Sequence, residues 1–384
     1  MPGGKILAGA ALAAVEDLVA KISQARRALD SLFFKLTDEI TASLTAIVTR
    51  ENFLLVGPPG TAKTMLIACI SKLLKAKWFY RLLTKFTEVE EIIGPIDIVE
   101  LLKGSVKRIY TNSIVDADLA LLDEIFNASS AILNTMLTIL NERVIYDGGS
   151  IIPVRTWAVF GASNRVPEEE ELQALYDRFP LRVFTKYAQP DETEQLMRAG
   201  LLLRKKLDRL VPVMTMDEVR KLNDCTLEFA YEHLDTIVKH TSPIVASYLD
   251  HVMISNRTRV KIPLYVIAYL TVLGIPPSEI DAAALRAATL KVLKYLVGNR
   301  ENLAEYEAFL ASHMPGGLSI LYDIVNEIKA LISSNALSLA REKIKEAYEL
   351  LEKSQRDPVI TRFFHVELEE IGQALRSIKS QVLF

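Results

Sequence analysis

The chain has 384 residues, half of them apolar and about a quarter charged, enough for two or three globular domains each with its own core. Its 45 Lys and Arg against 48 Asp and Glu leave a net charge of −3, so no charge imbalance points to a nucleic-acid or acidic-membrane partner. Two cysteines, Cys69 and Cys225, make no disulfide framework and fit a reducing, cytoplasmic setting; the five histidines form no zinc-binding pattern.

At the N-terminus, Ile6 to Val15 is apolar but Glu16 and Asp17 follow at once. Leu18, Ile22 and Leu29 continue it as an amphipathic helix rather than a leader peptide. Short apolar runs then recur at Asn52–Val56, Tyr80–Thr84, Leu119–Leu122, Trp157–Gly161 and Arg182–Thr185, and read as strands. Helical patterns lie between most of them, such as Ile132, Leu133, Met136, Leu137 and Leu140, with Ser129 as N-cap. Apolar strands alternating with helices predict a parallel sheet between helices, an α/β nucleotide-binding core over residues 1–188. Two insertions interrupt it. Ile96 to Tyr110 alternates loosely around Lys103-Gly104-Ser105, and Arg143 to Val154 around Asp147-Gly148-Gly149; both read as projecting hairpins.

The composition shifts at Gln189-Pro190, and residues 189–298 read as an all-α segment interrupted at Pro212, Pro243 and Pro276-Pro277. Asp191 with Glu194, and Thr215 with Glu218, match a helix-opening capping pattern. The longest apolar stretch, Ile262 to Ile275, falls short of the ~20 residues that span a membrane and contains Pro263, so it reads as a buried helix. A second boundary is expected at Gly298-Asn299. Residues 299–384 carry two amphipathic helices split by Asp357-Pro358, and no chemical signature.

The chemistry concentrates in Gly57-Pro58-Pro59-Gly60-Thr61-Ala62-Lys63-Thr64, placed between an expected strand and an expected helix. In that context the octapeptide is a phosphate-binding loop, whose backbone N–H groups turn towards anionic oxygens at a helix N-terminus. Lys63 would reach the terminal phosphates of ATP and Thr64 would hold Mg2+. The general pattern has glycine before the lysine; Ala62 stands there, and its methyl is tolerable if the residue keeps a negative φ, as a bulky side chain would not be. About sixty residues on, Leu119-Ala120-Leu121-Leu122-Asp123-Glu124 is an apolar strand ending in two carboxylates at the same rim. Asp123 would hold the magnesium through water, and Glu124 would orient and help deprotonate the attacking water. Asn164, after the Trp157 strand, is placed to bond the γ-phosphate or that water. Arg178 precedes the last strand, and Arg257 opens a helix of the second segment.

Together, Gly57–Thr64, Leu119–Glu124, Asn164 and Leu175–Phe179 resemble the MoxR family of AAA+ ATPases, most closely its RavA-like branch. Lys85-Phe86-Thr87-Glu88 through Ile93-Gly94-Pro95 extends the likeness, as does Leu122 through Asn134-Thr135 to Asn141-Glu142-Arg143. It is dense over residues 35–190 and thin over 191–300. The resemblance implies an AAA+ P-loop core over 1–188, an α-helical lid over 189–298 and further helices over 299–384. Residues 90–112 would be the helix-2 insert and 143–154 the pre-sensor-1 hairpin. By position, Gly57–Thr64 resembles Walker A, Asp123 and Glu124 Walker B, Asn164 sensor 1, Arg178 the arginine finger and Arg257 sensor 2, with Arg259 as its rival. The family usually has Ser-Asp-Arg where this chain has Ser255-Asn256-Arg257.

The family also implies a homo-hexameric ring with ATP between neighbours, a protein client, and a partner carrying a von Willebrand factor A-type domain. The expected activity is hydrolysis of ATP to ADP and phosphate by a chaperone-like motor. An alternative is a motor acting on nucleic acid through Lys103, Lys107 and Arg108, but no basic stripe with interleaved aromatics supports it. A nucleotide switch or small-molecule kinase is the third class, and a guanine-reading Asn-Lys-x-Asp is absent.

Overall fold

The computed structural model describes residues 9–147, 150–334 and 336–382, so Gly148 and Gly149 of the second expected turn lie outside the described residues. Seven strands are described: β1 (Phe53–Val56), β2 (Trp78–Leu82), β3 (Leu119–Asp123), β4 (Val144–Asp147), β5 (Ser150–Pro153), β6 (Ala158–Ser163) and β7 (Leu181–Phe184). Five of them form one sheet in the order β2-β3-β6-β1-β7, with every pair parallel. All four residues of β1 and all six of β6 are buried. A central parallel strand is shielded from water on both faces, which is why these segments are unbroken apolar runs. The strand expected at Tyr80–Thr84 begins and ends two residues earlier, and Thr84 lies beyond it in a turn where its N–H donates to Thr87 Oγ1 at 2.9 Å.

Outer strand β7 is covered rather than open. The Arg182 N–H donates to the Tyr295 carbonyl at 2.7 Å, and the Tyr176 hydroxyl donates to the Gly298 carbonyl. The Arg182 guanidinium lies 4.0 Å from the Tyr176 ring, so a buried cation rests on an aromatic face beside a sheet edge that is paired. At the strand N-termini, Trp157 Nε1 donates to the Ile47 carbonyl at 2.8 Å, and Arg50 and Arg220 flank its ring. These contacts fix helix Thr37–Val48 and helix Met216–Glu232 against the sheet.

The stretch from Ile262 forms the buried helix Ile262–Val272, with Pro263 in its first turn, where the missing N–H costs nothing. The chain leaves through Gly274 at φ 82°, and a Cβ there would meet Ser23 Oγ of helix Gly9–Leu32 at 2.6 Å. Among the described residues no helix is long and apolar enough to cross a membrane.

Several local expectations are corrected. Residues 96–110 are not a strand hairpin. Asp97 Oδ1 accepts from Val99 N and Glu100 N, capping a short helix Ile98–Leu102, and one antiparallel bridge, Ile96 to Arg108, joins the limbs. The second insertion is a hairpin, β4 against β5 with Val144 opposite Pro153. Helix Ser130–Glu142 starts after Ser129 as expected, without a side-chain capping bond. The capping box at the 189 boundary is Gln189 with Glu192 rather than Asp191 with Glu194, whereas Thr215 with Glu218 forms as expected. Pro243 does not interrupt its segment; it lies inside helix Leu234–Leu249.

Two compact units are distinguished by their contacts: Met1–Ile237 with Ile254–Ile280 and Tyr295–Asn299, and Val238–Met253 with Asp281–Lys294 and Arg300–Phe384. The second is all helical. Asp357 caps helix Pro358–Phe363 at the expected break, and the Lys291–Glu367 ion pair sits against the Phe364 ring. Ile344, Ala347, Leu351, Leu368, Ile371, Leu375 and Ile378 are buried, so the stripes expected there are core.

Candidate active site

The phosphate loop leaves the C-terminal end of β1 and enters helix Lys63–Leu73. The Gly57 N–H donates to the Ser163 carbonyl of β6 at 2.9 Å, and a Cβ at Gly57 would meet Thr185 Oγ1 at 2.1 Å and the Thr185 carbonyl at 2.6 Å. Only glycine fits this approach between neighbouring strand ends. Gly60 has φ 80° and open space where a Cβ would point. Thr61 Oγ1 is 3.1 Å from Thr185 Oγ1 and 3.0 Å from the Pro58 carbonyl, which ties the loop to the end of β7.

Ala62 does not keep a negative φ, the condition under which its methyl would be free of strain. Its φ is 61° and ψ 19°, a left-handed conformation that costs an L-residue about 1–2 kcal/mol. The next turn begins the helix, so the reversal must be completed at this residue. Lys63 is buried, and its Nζ donates to the Gly57 carbonyl at 2.5 Å and to the Pro58 carbonyl at 3.2 Å. Burial holds its pKa below the ordinary lysine value, with Asp123 and Glu124 pulling the other way.

Across from the loop, β3 ends in Asp123 and Glu124. Thr64 Oγ1 and Asp123 Oδ2 are 3.5 Å apart, and the Tyr80 hydroxyl of β2 lies at the same distance from Asp123 Oδ2. Burial, then Asp123, pushes the Tyr80 phenol above its usual pKa, so it stays a donor there. Glu124 is in the left-handed region at φ 53°, which turns its side chain out of the strand alternation. Asn164 Nδ2 donates to Glu124 Oε1 at 2.5 Å and Asn127 Nδ2 to Glu124 Oε2 at 3.3 Å. Both carboxylate oxygens are therefore held.

The hydroxyl and carboxylate at Thr64 and Asp123 are hard oxygen donors suited to Mg2+, beside a loop with backbone N–H groups and a buried lysine. Among the described residues no group of three or more His, Cys, Asp and Glu forms a metal cage. A magnesium ion here would draw its remaining oxygens from nucleotide and water, as this ion commonly does. The residues fit ATP with Mg2+.

Arg178 and Arg257 stand at the other edge of the sheet. Asn52 immediately precedes β1, and its Nδ2 donates to the Arg178 carbonyl at 3.1 Å and the Leu140 carbonyl at 3.4 Å. Arg143 Nη2 donates to Asn52 Oδ1 at 2.9 Å. Burial, then Arg50, brings the Arg143 pKa down to about 10. Arg178 lies 3.7 Å and Arg257 3.5 Å from the Asp177 carboxylate. Both arginines line a cavity of about 360 Å³ with Asn141, Lys261 and Glu51, and Lys261 pairs with Glu51 at 2.6 Å. Phe53 is in register with Leu181, so this cavity opens at strand N-termini, while the phosphate loop follows the C-terminal residue Val56. The length of β1, about 10 Å, separates the two.

A family model described as the MoxR domain in the MoxR-vWA-beta-propeller ternary systems matches residues 20–224, just over half of the chain. The chain belongs to the MoxR family. An uncharacterised protein of Methanocaldococcus jannaschii is 34% identical to it over 252 residues, 63% of each chain. A second from the same organism is 41% identical over 163 residues, 42% of this chain and 43% of its own length. The chain thus spans less than two thirds of the length of these curated relatives. The crystal structure of a Cytophaga hutchinsonii protein named only as a candidate ATPase matches with a TM-score of 0.57 at 16% identity, covering 78% of this chain and 96% of that one; this is likeness of fold.

In this MoxR chain, Gly57–Thr64, Asp123, Glu124 and Asn164 converge at one sheet edge, while Arg178 and Arg257 meet at the opposite one. Of the two rival arginines, Arg257 rather than Arg259 lines the cavity beside Arg178. Tyr80, Asn127, Thr185, Asn52 and Arg143 stand beside these groups without an expected role in the site. Asn127 follows Glu124 by one turn and Thr185 closes the expected last strand, so both carried a positional signal. Asn52 carried none, and although Arg143 stood in the likeness at Asn141-Glu142-Arg143, nothing pointed to its contact with Asn52, because the contacts of Asn52 cross 91 and 126 residues.

Proposed function

We propose that this MoxR protein is an ATP-hydrolysing ring motor that remodels protein partners or clients. The observation that carries the reading is Glu124, held through both oxygens by Asn164 and Asn127 beside the Thr64–Asp123 pair and the phosphate loop. In hydrolysis a bond forms between water oxygen and the γ-phosphorus as the bond to the β,γ-bridging oxygen breaks. Glu124 orients that water and receives its proton; Asn164, released from Glu124, bonds the γ-phosphate or the water. Lys63 turns from the loop carbonyls to the terminal phosphates. Thr64 and Asp123 would hold Mg2+, which supplies charge neutralisation on the phosphate oxygens.

Arg178 is the finger, and its place at the far edge suits delivery into a neighbouring subunit of a hexamer. Residues 189–298 act as the lid and 299–384 as a further helical region. The two insertions face the client. The description of the matching family points to von Willebrand A-type and β-propeller partners, alongside the narrower RavA-like reading of the motifs. A nucleic-acid client is not favoured, because Lys103 and Lys107 are paired with Glu100, and Arg108 with Glu90 and Asp147.

Glu124→Gln is the direct test. It keeps size and amide contacts but not the base, so ATP binding measured with a fluorescent analogue should persist while turnover falls about 10²–10⁴-fold. Loss of ATP binding, or turnover within a few-fold of the parent protein, would remove Glu124 from this role.

A further inference from the structure

The two outer strands of the sheet end differently. At β7 the Arg182 N–H is taken up by the Tyr295 carbonyl, whereas β2 pairs with β3 alone. The Leu83 N–H donates to the Asp123 carbonyl and the Lys77 carbonyl accepts from the Leu119 N–H, so the odd-numbered residues of this stretch face β3. By strand alternation, Trp78, Tyr80 and Leu82 turn their N–H and C=O groups the other way. Among the described residues, no hydrogen bond joins those groups to another element.

Folded proteins blunt such an edge with proline, lysine, a bulge or a covering segment. Trp78-Phe79-Tyr80-Arg81-Leu82 has no proline or lysine, keeps unbroken register with β3, and has its one charge tied to Glu91 at 3.2 Å. Tyr80 and Leu82 are exposed, and Phe86 beyond the strand end is 92% exposed. A groove of about 400 Å³ runs beside them, between Tyr80–Leu82 on one side and Phe86, Thr87 and Glu91 on the other. Its chemistry selects the occupant. A helix closes its own main-chain bonds and would leave the edge of β2 unpaired. An extended chain supplies donors and acceptors in step with the edge, and sends alternate side chains to the apolar face.

We propose that β2 takes an extended segment of a protein client as an added strand, held by the main-chain groups of Trp78, Tyr80 and Leu82, with client side chains against Tyr80, Leu82 and Phe86. This rests on the proposed remodelling of protein clients and names the form in which a client is held. Leu82 is in register with Asp123, so the added strand lies two strand spacings, about 10 Å, from the strand that carries the carboxylates. Main-chain groups are common to all sequences, so the grip selects extended apolar chain rather than a motif.

The test uses a peptide of alternating valine and threonine with a lysine at each end, and the same peptide N-methylated at two adjacent central residues, which blocks both of its edges. Binding is read without ATP from the fluorescence of Trp78, which stacks on Tyr80, while the second tryptophan, Trp157, is buried. At saturation, hydrogen exchange at the Trp78, Tyr80 and Leu82 amides should slow at least ~10-fold, with Phe79 and Arg81 unchanged because they already face β3. The N-methylated peptide should bind at least ~10-fold more weakly. Leu82→Pro deletes an outward donor and none facing β3, and should weaken the plain peptide by a similar factor; Leu82→Thr, which keeps the donor, should stay within ~3-fold of the parent. Should Leu82→Pro fail to fold, the two peptides decide alone. Equal binding of both peptides, binding of neither, or unchanged exchange would overturn the proposal. So would outward amides that are already slow in the free protein and quicken on dilution, since a second copy would then cover the edge. No readout involves ATP turnover, so failure here leaves the hydrolytic role of Glu124 standing, and loss of that role leaves this result intact.

Discussion

At the C-terminal edge of the sheet, charged groups are answered from close by: Lys63 by carbonyls of its own loop, and Glu124 by Asn127 one turn on and Asn164 on the next strand. At the N-terminal edge the answers come from across the chain: Arg143 reaches Asn52, Asn52 reaches Arg178, and Arg257 reaches Asp177. The first edge is satisfied within one subunit. The second leaves Arg143 Nη1 and Arg178 Nε buried without hydrogen-bond partners among the described residues. Unpaired buried donors are costly, and both of these fall at the same edge of the sheet. On the proposed function, the first edge would hold the nucleotide and the second would meet a neighbouring copy.

The sharpest intramolecular probe of this contrast is Asn52→Ala. Asn52 is buried, accepts from Arg143 and donates to two carbonyls, so its removal strands a buried guanidinium and loosens the Arg178 loop. Urea unfolding should show a loss of about 2–4 kcal/mol. A loss under about 0.5 kcal/mol would mean that the network contributes little.

A smaller effect of opposite sign is expected at the other edge. Ala62→Gly relieves a left-handed alanine at φ 61° at the cost of extra freedom in the unfolded chain, for a net gain of about 0.5–1 kcal/mol. A lowered midpoint in thermal unfolding of the nucleotide-free protein would contradict that assignment of strain.

The same contrast explains what could be read in advance. The phosphate loop, the Asp123-Glu124 pair and Asn164 were legible because their spacing is local and follows strand ends. The five-stranded parallel sheet was legible because its buried strands are uninterrupted apolar runs. Two things were hidden. The left-handed turn at Ala62 is dictated by the geometry of entering the helix, against the preference of an alanine. The company of Arg257 depends on how residues near 52, 143, 178 and 257 fold onto one edge, which no periodicity encodes. The hairpin expected around Lys103-Gly104 was misread for a third reason: Asp97 caps a helical turn, and a local side-chain bond overrode a weak alternation.

The central claim is that a triphosphate bound at one edge is hydrolysed only when another copy supplies its arginine edge. Steady-state ATP turnover per subunit, measured across a dilution series at saturating ATP, tests it most directly. The account predicts a rate that climbs with protein concentration to a plateau, and an Arg178→Ala protein that stays about 10³–10⁵-fold lower even where fully assembled. A rate per subunit that is constant down to concentrations at which the protein is monomeric would contradict it.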